Sequence, residues 1–196
     1  GTFGCFAHWT EIGQIFLTQE GRYGHNMTPQ LIMQETDPLQ AMIDFAREHD
    51  LEIFWTMRMN DTHDASNELL LPDLKKKHPE LLFGSLTRRP PYGAWSGVDY
   101  GDSRVRELAF RYIQEVAANY DVDGVFLDFF RHCVLFKRAA WGDPLGDRER
   151  DALTELVTRT RERLRQLGAI RGRPILLAVR VPDPDRGTLE AYRGRA

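Results

Sequence analysis

The sequence is poor in cysteine, with Cys5 and Cys133 the two thiols among 196 residues. A disulfide-stapled scaffold is therefore excluded, and an apolar core has to hold the fold. The two thiols lie far apart in sequence; they could pair, but two thiols in a domain of this size are more often buried and reduced. Long hydrophobic runs are missing too. None approaches the ~20 apolar residues of a membrane-spanning helix. Neither charge sign dominates: the net charge is −3, and acids and bases are interspersed. That leaves no basic stripe for a nucleic-acid partner. No glycine-rich phosphate loop follows a candidate strand, because Gly84 and Gly93 fit neither the dinucleotide nor the Walker pattern. This weighs against a doubly wound nucleotide-binding fold, and no cofactor is expected. An initiator Met and a signal peptide are lacking as well. The chain opens on Gly1-Thr2-Phe3-Gly4, which reads as a piece of a longer polypeptide and leaves the compartment unreadable.

What is present is an alternation of helices and short apolar runs over one domain, residues 1–196. Three segments have helical periodicity. Leu39, Met42, Ile43 and Ala46 form a stripe, with Asp37 as N-cap and Pro38 at the first helical position. Val105, Leu108, Ala109, Tyr112, Ile113 and Val116 form a second stripe, capped by Asp102 or Ser103. Leu153, Leu156, Val157, Leu164 and Leu167 form a third, which Gly168 is expected to end. Runs of strand character follow each helix at 51–57, 124–127 and 174–179, and Phe3–Ala7 reads as an earlier strand of the same kind. These runs are nearly continuously apolar, as in a parallel sheet buried on both faces. The order β-α-β-α-β-α-β predicts an α/β fold with right-handed crossovers, a parallel (β/α) TIM-type barrel of about four units. Turns from helix to strand are short. Those from strand to helix are long, at about 60–101 and 131–146, which marks that face as the functional one.

The strand ends carry the chemistry. In Gly124-Val125-Phe126-Leu127-Asp128-Phe129-Phe130-Arg131-His132 a buried strand ends on a carboxylate, with a cation and an imidazole close behind. Arg131 would hold Asp128 ionised, as a nucleophile or a stabiliser of a cationic sugar transition state requires. The competing reading is a structural Asp–Arg pair. Arg58, Asn60, Asp61 and His63 follow another strand and supply donors and acceptors suited to hydroxyls. Alternatively they form an Asx-type turn, with Asp61 and Asp64 bound to backbone amides. Arg180 ends the last strand and would point into the same mouth, while Asp183 and Asp185 shape the loop after it. Trp9 and Glu11 follow the first strand as a stacking platform and a candidate acid, or as ordinary loop residues. Trp95 and Trp141 either stack on a sugar or anchor their own loops. Trp55 is read as core, and Lys75-Lys76-Lys77 as a solvated face.

Several of these runs resemble bacterial family-10-like glycosyl hydrolases. They are Phe54 to Asp64, His78-Pro79-Glu80, Val98-Asp99-Tyr100, Gly124 to His132 and Pro174 to Pro182. The resemblance implies a TIM-type barrel and a carbohydrate substrate, with Asp128 as principal catalytic carboxylate by analogy with barrel glycosidases whose strands end Gly-x-x-x-Asp. A whole barrel has eight strands and about 250 residues, so this chain is expected to be roughly half of one. Its open sheet edges would then be a route to self-association. Two other functions fit the same residues. One is a metal-dependent hydrolase with Asp61, His63 and Asp128 as ligands, although no strong ligand spacing is present. The other is a barrel that binds carbohydrate without cleaving it.

Overall fold

The computed structural model describes residues 2–182. Asp183, Asp185 and the segment 188–196, expected to open a further helix, lie outside the described residues. In chain order the elements are β1 (Cys5–Phe6), β2 (Gln14–Ile15), α1 (Thr28–Met33), α2 (Pro38–Glu48), β3 (Phe54–Arg58), α3 (Asp73–Lys77), α4 (Ser103–Asn119), β4 (Gly124–Asp128), α5 (Lys137–Ala140), α6 (Asp147–Arg171) and β5 (Leu176–Arg180). Strands β3, β4 and β5 form one parallel sheet in that order, and β1 pairs with β2 in a separate parallel sheet. The class is therefore α/β with parallel sheets, and the described residues do not close into a barrel.

The first expected strand is shorter than Phe3–Ala7 and does not join the main sheet. Gly4 explains this: its φ is +88°, a left-handed conformation that interrupts an extended run. The chain turns there, and Cys5 N donates to Thr2 O at 2.9 Å.

The expectation of strands buried on both faces holds for the middle strand only. In β4, Val125, Leu127 and Asp128 are buried, whereas β3 alternates between buried Trp55 and Met57 and exposed Thr56 and Arg58. Leu176 and Val179 of β5 are exposed. A central strand has neighbours on both sides and helices over it, and flanking strands have less cover. Gly124 lies against the Phe54 ring of β3, which fills the space a Cβ there would need.

The helix starts follow the caps. Asp37 Oδ1 accepts from the amides of Leu39 (2.8 Å) and Gln40 (2.9 Å), and Asp102 Oδ1 accepts from Arg104 N at 2.8 Å. The end of α6 differs from expectation. The helix continues to Arg171, and Gly172, at φ +78°, takes the left-handed cap. Gly168 has another task. A Cβ there would meet Arg173 O at 3.0 Å and Ile175 N at 3.1 Å, so the bare backbone lets the chain entering β5 pass against the helix.

One cluster beneath the sheet fastens its entry. Arg47 of α2 and Arg173 both grip Asp121 and Asp123, just before β4. Asp123 also accepts from Ile53 N at 2.8 Å. Burial alone would raise the Asp123 carboxyl. The Arg47 guanidinium, the Ile53 amide and Arg173 outweigh it and hold the group at about 2.

Candidate functional site

Three charged residues end the three strands of the main sheet in a single register row, with Arg58 opposite Asp128 and Asp128 opposite Arg180. Parallel strands bring the same end of each to the same edge, so this row is a direct product of topology. Asp128 is 4% exposed. Arg180 Nε donates to its Oδ1 at 2.9 Å and Nη2 to its Oδ2 at 2.6 Å. Oδ1 also accepts the amides of Phe130 (2.9 Å) and Arg131 (3.1 Å). The guanidinium expected from Arg131 is thus supplied by Arg180, and Arg131, itself exposed, contributes its backbone N–H. Arg180 was available because β5 lies directly beside β4.

The loop after β3 is organised around Asp61. Its side chain is 2% exposed and takes Arg58 Nη1 on Oδ2 at 3.1 Å. Its Oδ1 accepts His63 N at 3.1 Å and His63 Nδ1 at 2.7 Å. Burial would raise this carboxyl, yet the amide and ring of His63 and the Arg58 guanidinium hold it below the usual carboxylate range. The Asx-turn reading and the charged-cluster reading are both realised in this one residue.

His132 joins Asp61 rather than Asp128. Thr62 Oγ1 and His132 Nδ1 share a 2.9 Å hydrogen bond, and the other ring nitrogen, Nε2, lies 4.0 Å from Asp61 Oδ2. The His63 and His132 rings meet edge to face with centroids 5.3 Å apart. Burial pushes the His132 imidazole down to about 4, with Asp61 offsetting part of the effect, so the ring is neutral at pH 7. The ligand atoms of Asp61, His63 and His132 all lie within 4.8 Å of one another. Asp128, the third ligand in the metal reading from sequence, is instead occupied by Arg180, and His132 stands in its place.

Other expected site residues are used for structure. Asn60 is 1% exposed. It donates to Val98 O (3.1 Å) and Val134 O (2.9 Å) and accepts from Val98 N (2.8 Å), tying both long loops to the end of β3. Both of its N–H donors are used by backbone carbonyls, which leaves one lone pair of a buried oxygen as its remaining capacity. Trp9 and Glu11 are exposed, and their backbones are tied to α4. Trp9 O accepts from Tyr120 Oη at 3.3 Å, and Glu11 N donates to Glu115 Oε1 at 2.7 Å. Trp95 and Trp141 anchor loops, their indole N–H groups donating to Ala65 O (3.0 Å) and Phe83 O (2.8 Å).

Lys75 is not on a solvated face. Its Nζ lies 2.6 Å from Asp64 Oδ2, with both side chains 0% exposed, and Ser96 Oγ donates to Asp64 Oδ1 at 2.6 Å. Lys75 Nζ also donates to Asp61 O at 3.3 Å, so this buried pair underlies the Asp61 turn. Burial pushes the Lys75 ammonium below the usual lysine range, against the pull of Asp64. Sequence reasoning missed this pair. The signal available was the periodicity of the α3 region, which turns one lysine of the three inward.

No family model matches the chain. An S-layer-related protein of Niallia circulans is 32% identical over 107 residues, covering 50% of this chain and 7% of that protein. Two solved structures show distant likeness. Alpha-L-fucosidase isoenzyme 2 from Paenibacillus thiaminolyticus has a TM-score of 0.46 at 17% identity, over 86% of this chain and 24% of its own. The galactosidase domain of alpha-galactosidase-sucrose kinase has a TM-score of 0.47 at 15% identity, over 72% of this chain and 17% of its own. The chain therefore spans less than a quarter of the length of each of these three proteins.

Proposed function

We propose that this chain carries part of the active face of a carbohydrate-active hydrolase that cleaves a glycosidic bond. The observation that supports this most is the row Arg58–Asp128–Arg180 across three adjacent parallel strands. An anion fixed on a rigid sheet, with its charge secured by a guanidinium fork and two amides, suits the positive charge that develops on a sugar ring during cleavage. Oδ1 takes three donors and Oδ2 takes one, Arg180 Nη2, so Oδ2 is the less saturated oxygen and the one offered to a substrate. Arg58 and Arg180 have side chains 47% exposed and bind hydroxyls from either side. His63, with its side chain 38% exposed, extends that binding surface, buried Asp61 holds its ring in place, and Arg131 lies at the rim. The sequence runs that resemble family-10-like glycosyl hydrolases include these positions. Glycoside hydrolysis takes a second carboxylate, and this reading assigns that role to none of the described residues.

The test is Asp128→Asn in the full-length protein, assayed on a panel of activated aryl glycosides. Turnover is expected to fall by about 10³-fold while the circular dichroism spectrum is retained. Turnover close to that of the unaltered protein would overturn the role of Asp128.

A further inference from the structure

We infer that Asp61, His63 and His132 form a binding site for a zinc-class divalent transition ion. Nothing in this inference depends on the glycosidic reading. The three residues come from the loops that follow two adjacent parallel strands, β3 and β4, so a rigid sheet sets their spacing.

The donor set is two imidazoles and one carboxylate. That combination favours zinc and its neighbours over calcium or magnesium, which prefer oxygen. Three protein ligands also leave a coordination position open, as in catalytic rather than structural zinc sites. The ligand atoms lie within 4.8 Å of one another, against roughly 3.3 Å between ligands of a tetrahedral ion bound at ~2.0 Å. Closing that gap takes side-chain rotation with no displacement of the strands. His63 is the part able to move, since its side chain is 38% exposed.

His132 is the observation that points to a ligand. Its Nε2 is buried and has no hydrogen-bond partner. Its Nδ1 is bonded to Thr62 Oγ1, which fixes the ring with Nε2 turned toward Asp61 Oδ2, 4.0 Å away. That gap is too long for a hydrogen bond, and a buried nitrogen left unsatisfied is destabilising. An imidazole held by a polar partner on one nitrogen and aimed by the other is the usual arrangement of a metal-ligating histidine. The 2.7 Å bond between His63 Nδ1 and Asp61 Oδ1 fits the same picture, because the proton there occupies the place of a cation. One group competes: Arg58 Nη1 sits 3.1 Å from Asp61 Oδ2. Its side chain is half exposed and can swing into solvent when an ion takes that oxygen. Lys75 is no competitor, because Asp64 neutralises it.

The experiment is direct binding. Protein stripped with a chelator is titrated with Zn²⁺ by calorimetry, and a parallel Co²⁺ titration is followed by visible absorption. One ion per chain is expected, with a Co²⁺ spectrum showing nitrogen and oxygen coordination below six. His63→Ala and His132→Ala should each weaken Zn²⁺ binding by at least about 100-fold, and Thr62→Val by about 10-fold through the loosened ring. Thermal unfolding checks that each variant folds, and the half-exposed His63 makes that variant the safe one. Stoichiometric binding unchanged by His63→Ala, or no binding by the unaltered protein, overturns the site. The readout requires no substrate, so failure of the glycosidase assay leaves this test intact.

Discussion

Arg180 and Asp128 meet fork to carboxylate across neighbouring strands, at 2.9 and 2.6 Å, in the last register pair of the sheet. This one contact both closes the β4–β5 edge and fixes the anion on which the proposed reaction turns.

Removing the fork is expected to loosen that edge. The carboxylate is buried, but the Arg180 side chain is 47% exposed, so solvent screens part of the loss. Arg180→Ala should cost about 1–2 kcal/mol, less than the ~3–5 kcal/mol of breaking a fully buried pair. Arg180→Lys should recover only part of this, because an ammonium cannot form the two-pronged contact. Urea unfolding midpoints check both, and an unchanged midpoint in Arg180→Ala contradicts the argument.

A larger effect is expected beneath the Asp61 turn. Lys75→Met leaves the Asp64 carboxylate buried with Ser96 but without its cation, at about 3–5 kcal/mol. The double change Lys75→Met with Asp64→Leu should restore most of that stability, since it removes the stranded charge. Equal losses in the single and double variants would show that the pair is not what matters there.

Acid stability should report the clamp before β4. The Asp123 carboxyl is held at about 2, against 3.8 for an unperturbed aspartate. A group lowered in the folded state stabilises it above the unfolded value, and the contribution disappears as protonation occurs. Its share is therefore complete above about pH 4 and lost as pH falls toward 2. Asp123→Asn should flatten the stability profile across that window and leave its shape near neutrality unchanged. A profile of unaltered steepness below pH 4 would assign the acid sensitivity to other carboxylates.

Some of this was legible in the residues alone. The caps at Asp37 and Asp102, and strands β3, β4 and β5, follow from local patterns: a polar side chain before a periodic stripe, and an apolar run before a charge. Arg58, Asp128 and Arg180 could be placed together because parallel strands share an end. The role of Asn60 was not legible. An amide at a strand end serves a ligand or a backbone equally well, and only the approach of Val98 and Val134 decides which. Gly4 was read as part of a strand because its left-handed φ is set by packing and not by neighbouring residues.

The sequence by itself determined the three long helices, the three strands of the main sheet and which charges stand at its ends, because those depend on periodicity and chain direction. Tertiary structure decided the partners. Arg180 rather than Arg131 forks onto Asp128, His132 faces Asp61 across 71 positions in the chain, and Lys75 is drawn inside to Asp64. Pairings of that kind depend on which loops fold over one another, and no local pattern encodes distances between residues so far apart.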